Sequence, residues 1–350
     1  MRRRALLVAL AAGRAAPAFA LAPRALVFPA DFGAHPDAGI EWWYVTGSLG
    51  DDHGFQITFF RSRTDVAADA PSRFAAKQLV FAHAAVTDLA GRRLRHDQRV
   101  AREGFGLAYA REGTTDVRLH DWTLARRADG TYRASAASEA AGFAFRLDFG
   151  PTQPVLLQGD AGWSRKGPRP TEASEYYSEP QLRVAGTLAL DGRERTVEGR
   201  AWLDHEWSDS VLPEGAVGWD WIGMNLDDGA ALTAFRLRRE DGTSLWAGGS
   251  SRAGATSPVR AFAPEDVRFE PLRHWRSPAS RANYPVEWRV ATPGGTFTVR
   301  ARLDAQELDS RASTGAIYWE GLSDLLDARG QRVGRGYLEM TGYALALALR

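Results

Sequence analysis

The stretch Val197-Glu198-Gly199-Arg200-Ala201-Trp202-Leu203-Asp204-His205-Glu206-Trp207, followed shortly by Gly218-Trp219-Asp220-Trp221-Ile222-Gly223-Met224-Asn225-Leu226, decides how the chain is to be read. Side chains on a strand alternate between faces. In the first segment one face carries Val197, Gly199, Ala201, Leu203, His205 and Trp207; the other carries Glu198, Arg200, Trp202, Asp204 and Glu206. The first face is apolar until His205, so the imidazole is expected inside, beside an indole. In the second segment Asp220 shares a face with Ile222, Met224 and Leu226, while Trp219 and Trp221 point the other way. A carboxyl group among aliphatic side chains is costly unless paired or protonated. This region thus concentrates an inward His, an inward Asp and up to four Trp.

Outward from this centre the chain reads as β throughout. Glu41 to Leu49 is a strand, Gly50 to Gly54 a hairpin loop and Phe55 to Arg61 the return strand. Short β segments recur to Gly159, a long loop spans Gly162 to Ser174, and further strands run to Tyr343. Leu322 to Asp327 is read as a helical turn. Many short strands at regular spacing imply a sandwich or barrel. An internal repeat sets the domain count. Trp42-Trp43-Tyr44-Val45 and Leu49 align with Trp219-Asp220-Trp221-Ile222 and Leu226, and Gly54 to Arg61 align with Gly229 to Arg236 at equal span. Two related β-domains are expected, joined within residues 190–200.

The 350 residues carry a net charge of only +1, which gives no electrostatic reason to expect nucleic acid. With no cysteine, disulfides, thiolate chemistry and Cys-ligated metals are excluded. The seven histidines show no ligand spacing, so a metal site would have to be assembled from remote positions, and neither metal nor cofactor is expected. No G-x-S-x-G elbow, P-loop or dinucleotide fingerprint is present. Exposed Trp also stacks on sugars, but nothing selects a paired-carboxylate glycosidase. Twelve Trp suit a cavity for an apolar or ring-shaped ligand, and equally a β-barrel core. Arg2-Arg3-Arg4, the apolar run Ala5 to Ala12 and Ala18-Phe19-Ala20 read as a signal peptide over residues 1–20, which implies export to the periplasm.

Taken as a set, several blocks resemble a known family. They are Phe28-Pro29, Asp31, Gly33, His35-Pro36 with Glu41-Trp42-Trp43-Tyr44 and Gly47; Gln56 to Arg61; Asp204-His205-Glu206-Trp207; Gly218-Trp219-Asp220-Trp221; and Gly336 to Tyr343. Together they resemble the lipocalin-like family of AttH-type proteins and bacterial carotenoid 1,2-hydratases (hydroxyneurosporene synthases), and the chain sits nearer the AttH-like branch. The resemblance implies two calycin-type barrels in tandem, here residues 21–195 and 196–350, with a ligand cavity at or between them. It also implies that some members hydrate an isolated C=C of an isoprenoid end group. In those hydratases a His-x-Trp pair and a downstream aromatic/Asp pair are the proposed active-site groups; His205 and Trp207 match the first, and Asp220 is the best match to the second.

Alkene hydration needs an acid to protonate carbon, a wall to stabilise the carbocation, and held water. On this reading Asp220 is the acid, His205 handles water, and Trp207, Trp219 and Trp43 line the cation site. Tyr44, Trp221, Tyr177 and Glu41 complete the candidate binding residues. The alternative is that His205 and Asp220 simply pair to satisfy a core network. Glu41 is either a second inward acid or the exposed start of its strand. His83 reads as a satisfied core histidine, and Tyr176-Tyr177 as a pocket rim or as ordinary packing. The expected function is binding of a hydrophobic, isoprenoid- or lipid-like molecule, with C=C hydration as its enzymatic form. A non-catalytic periplasmic lipid carrier or chaperone, associated with a membrane or an exporter, is the competing reading.

Overall fold

Alternating apolar residues build two antiparallel sheets, and each curls around a core of its own. The structure is a computed structural model that describes residues 23–64, 71–72 and 74–347; the expected signal peptide lies outside the described residues. The first sheet, of 13 strands among the described residues, is centred on Ile40–Leu49, which lies between His53–Arg63 and Arg193–Ser208. The second, of 10 strands, is centred on Gly218–Leu226, which lies between Ala231–Arg238 and Arg332–Met340. In both sheets the opening strand pairs with its hairpin partner on one side and with the closing strand on the other. The Trp-rich repeat therefore occupies topologically equivalent positions. Contacts of Gln78–Asp88 and Arg93–Arg102 with Ala108–Ala110 and Asp116–Leu119 bring the two ends of the first sheet together into a near-closed barrel.

Where the chain passes from one sheet to the other differs from expectation. The strand Arg193–Ser208 pairs along its length with Ala173–Leu190 inside the first sheet, so the changeover falls at residues 209–217 rather than 190–200. The central strand of the reading thus closes the first barrel instead of opening the second. The expected helical turn at Leu322 to Asp327 is also corrected, because Leu322 to Leu326 continue the strand Ala316–Leu326. Leu322 packs between the sheets and Leu325 inside the second one, so both faces are apolar. With both faces covered, period-two alternation disappears from the sequence.

Three apolar layers result. Trp43, Val45, Ile57, Phe59, Leu203 and Trp207 fill the first barrel. Ile222, Met224, Val286, Trp288, Trp319 and Leu338 fill the second. Tyr44, Trp202, Trp221, Phe235, Leu322 and Tyr337 lie between them. The third layer forms because the two barrels meet through the outward faces of their central strands. His83 belongs to this seam: it is buried, with Nδ1 2.8 Å from the Tyr318 hydroxyl and Nε2 2.9 Å from Ser313 Oγ. Burial holds it neutral, with its pKa lowered to about 3.

Candidate active site between the barrels

Register distributes the site residues. In the first sheet Trp43 pairs with His205, which pairs with Tyr177, and all three point into the barrel. One residue away, Trp42 pairs with Glu206 and Tyr44 with Asp204, and these four point outward. In the second sheet Trp221 pairs with Glu339, which pairs with Glu320, again on the outward face. Where the outward faces meet they enclose a chamber of about 110 Å³. Trp42, Tyr44, Phe60 and Tyr176 wall it from one barrel, and Trp219, Trp221, Phe235 and Tyr318 from the other. Asp204, Glu206, Glu320, Glu339 and Lys166 supply its polar groups.

The four carboxyl groups differ. Glu206 Oε1 accepts from Ser174 Oγ at 2.5 Å and from Lys166 Nζ at 2.9 Å, forming an ion pair. Asp204 accepts three hydrogen bonds, from Ser178 Oγ and Trp202 Nε1 on Oδ1 and from the Tyr176 hydroxyl on Oδ2. Burial nevertheless outweighs these and raises its pKa to about 7. Glu320 and Glu339 are direct cross-strand neighbours, a separation at which two carboxylates repel strongly. Burial first, and the charge of Glu339 second, push Glu320 far above the carboxylate range. Burial raises Glu339 to about 7. The pair therefore keeps a proton at neutral pH, carried mainly by Glu320. Glu320 Oε1 and the neighbouring Tyr44 hydroxyl are buried against each other, and neither closes a well-formed hydrogen bond among the described residues.

Tyr44, Trp219 and Trp221, expected to bind ligand, line this chamber. His205, Trp207, Trp43, Tyr177 and Glu41 do not. They sit inside the first barrel, around a buried hub. Glu41 is the inward acid of the two alternatives, with no exposure. Its Oε1 lies 2.8 Å from His205 Nε2 and 2.7 Å from His35 Nδ1, and its Oε2 accepts from Arg61 Nε at 2.8 Å. Burial alone would raise the Glu41 pKa, but the hydrogen bonds from His205 and His35 prevail and hold it below the usual range. Burial lowers His205 to about 4, so it is neutral; with Nε2–H donated to Glu41, its Nδ1 accepts from Tyr177, whose hydroxyl lies 3.0 Å away. Trp207 stacks on His35 at 3.7 Å and Trp43 on His205 at 4.7 Å. His35, Glu41 and His205 are close enough to share a metal ion. Their donor atoms are partnered with one another, both imidazoles meeting Glu41 Oε1, and a cation would also have to compete with the Arg61 guanidinium for Glu41.

Asp220 is the main correction. It is fully buried inside the second barrel, not beside His205. Arg236 Nε and Arg238 Nε lie 2.7 and 3.1 Å from its Oδ2, and the Tyr343 hydroxyl donates to Oδ1 at 2.8 Å. Parity correctly turned both His205 and Asp220 inward, but the two interiors belong to different barrels. Asp220 is an anchor held in an arginine clamp, away from the chamber. Asp220→Asn is expected to lower stability by about 2–3 kcal/mol, through two unpaired guanidiniums, one of them partly hydrated. Urea unfolding measures this loss; an unchanged midpoint would refute the anchoring role.

The sequence reading passed over Trp42, Phe60, Lys166, Asp204, Glu206, Tyr318, Glu320 and Glu339. Their signal was present: Glu339 stands between Leu338 and Met340, and Trp42 shares its outward face with Tyr44. Of the outward faces only Tyr44, Trp219 and Trp221 stand out in the sequence, because no local pattern announces that a second barrel covers their neighbours.

Comparison with known proteins places this architecture. A family model described as AttH-like matches residues 20–343. No curated protein sequence matches the chain. Among solved structures, a Nitrosomonas europaea protein assigned to AttH is 49% identical, with a TM-score of 0.85 over 93% of this chain and 99% of that one. Kievitone hydratase from Nectria haematococca shares the fold at 15% identity and a TM-score of 0.69, over 92% of this chain and 94% of that one. CghA does so at 14% identity and a TM-score of 0.56, over 89% of this chain and 90% of that one.

Proposed function

The chain belongs to the AttH-like family, and from that premise we propose that the inter-barrel chamber binds the apolar end of an isoprenoid-like molecule and adds water across its C=C bond. The observation that carries this reading is a buried carboxyl group that keeps its proton at neutral pH, Glu320, in a chamber walled by aromatic faces. Glu320 delivers its proton to the less substituted carbon. The tertiary cation is stabilised by the faces of Trp42, Trp219 and Trp221, worth ~2 kcal/mol each when desolvated. Water attacks the cation, and its surplus proton passes to Glu339. The proton lost from Glu320 is replaced by the one gained at Glu339, so the pair ends with as many protons as it began with and the cycle needs no external acid or base. Asp204, also near half-protonation at pH 7, is placed to orient the water.

Size limits what the chamber can take. A cavity of ~150 Å³ takes one benzene ring, so about 110 Å³ accommodates an end group and not a whole lipid. The remainder of the molecule extends outside. The sequence features at the amino terminus add export to the periplasm to this proposal.

The test is incubation of the purified protein with prenol in ¹⁸O-labelled water, followed by mass spectrometry. Label in a tertiary alcohol is the expected result. Bound, unchanged prenol would favour a carrier, and absence of both binding and product would remove the chamber as the ligand site.

A further inference from the structure

The chamber already holds one organic cation, supplied by the chain itself. Of 44 basic residues only Lys77 and Lys166 are lysines. Lys166 Nζ lies 4.7 Å from the centre of the Tyr176 ring, 4.4 Å from that of Phe235, and 2.9 Å from Glu206 Oε1. Ring faces with a carboxylate behind them are what holds an ammonium group in a dry site. The same residue types recur on the remaining walls, where no further cation lines the chamber among the described residues. Trp42, Tyr44, Trp219 and Trp221 present aromatic surface, and Asp204, Glu320 and Glu339 present carboxyl groups.

Two independent features point to a missing occupant. Glu320 is 2% exposed, and among the described residues its Oε1 and the Tyr44 hydroxyl meet each other without either closing a well-formed hydrogen bond. Buried polar groups without well-formed hydrogen bonds are costly; a ligand bearing positive charge favours the ionised Glu320, whose carboxylate pairs with it and accepts from the Tyr44 hydroxyl. The second feature is an imbalance: four carboxyl groups face one ammonium group.

We propose that the chamber is a binding site for small organic cations of the trimethylammonium or trialkylammonium class, with Glu320 and Glu339 as counter-charges and Trp42, Trp219 and Trp221 as the cage. This rests on the chamber being the ligand site. It deepens the hydration reading, since such a cation has the shape and charge of a protonated prenyl end. The carboxyl groups must ionise to pair with it, so binding releases protons and strengthens as pH rises. The groups that share this balance are Glu320, Tyr318 and Glu339 from the second barrel, and Tyr44, Tyr176, Asp204, Glu206 and Lys166 from the first.

Choline and its carbon isostere, in which carbon replaces the quaternary nitrogen, separate charge from shape. Calorimetric titration near pH 8 is expected to show choline bound about tenfold more tightly than the isostere, as a desolvated cation–π contact with charge pairing allows. The preference should shrink near pH 6 and largely vanish in Glu320→Gln at either pH. Equal or weaker binding of choline, with the isostere still bound or prenol still hydrated, overturns the cation site and leaves the hydration reading standing. Failure of choline, the isostere and prenol all to bind overturns both.

Discussion

Glu320→Gln is expected to abolish hydration while making the protein more stable at alkaline pH. The variant keeps the side-chain volume and removes the transferable proton. Loss of a positioned general acid costs ~10²–10⁴-fold in rate. The stability effect has a definite sign. The Glu320 pKa is raised in the folded protein, so the folded chain retains a proton that the unfolded chain releases above about pH 4. Wild-type stability conferred by this group is complete below that pH and declines as pH rises toward the folded value. Glutamine has no such dependence. The variant should therefore match wild type near pH 4 and exceed it near pH 8 by about 1–3 kcal/mol, the penalty of an unsatisfied buried group. Urea denaturation at the two pH values measures this. A wild type that instead gains on the variant with rising pH would mean that Glu320 is ionised in the fold, and its role as acid would be withdrawn.

Glu41→Gln should have the opposite character, with a large loss of stability and little direct effect on the chamber. Glu41 is the acceptor at the centre of the first-barrel hub. Its partner Arg61 is 2% exposed and also holds the chain leading into the first strand, through the carbonyls of His35 and Ala38 at 2.6 and 3.1 Å. Glutamine leaves the guanidinium without a counter-charge and places an amide against two imidazoles. Breaking a buried charged pair in this way costs about 3–5 kcal/mol. Thermal and urea unfolding should show the loss, while prenol hydration per folded molecule stays near wild type. A variant of normal stability that no longer hydrates prenol would return the catalytic role to the His205 cluster.

These two variants divide the residues as the fold does. Asp204-His205-Glu206-Trp207 is one continuous tetrapeptide, yet its members alternate between two tasks. His205 and Trp207 hold the first barrel together around Glu41, and Asp204 and Glu206 face the chamber. The hydratase resemblance drew attention to His205, Trp207 and Asp220, the inward members. The chamber is built from the outward ones, together with Glu320 and Glu339 from the far end of the chain.

By itself the sequence determined the β architecture, the two-barrel repeat, the family, and the inward or outward parity of every residue in the central strands. Those are local properties: period-two alternation, turn chemistry and motif spacing survive in a linear reading. Only the tertiary structure decided that the two interiors are separate, that His205 pairs with Glu41 and Asp220 with arginines, and that the outward faces close on each other. Those outcomes depend on strand order and on the docking of one sheet against another. A carboxyl group acquires its proton at neutral pH only when a distant surface removes the water around it, and no neighbour in sequence records that event.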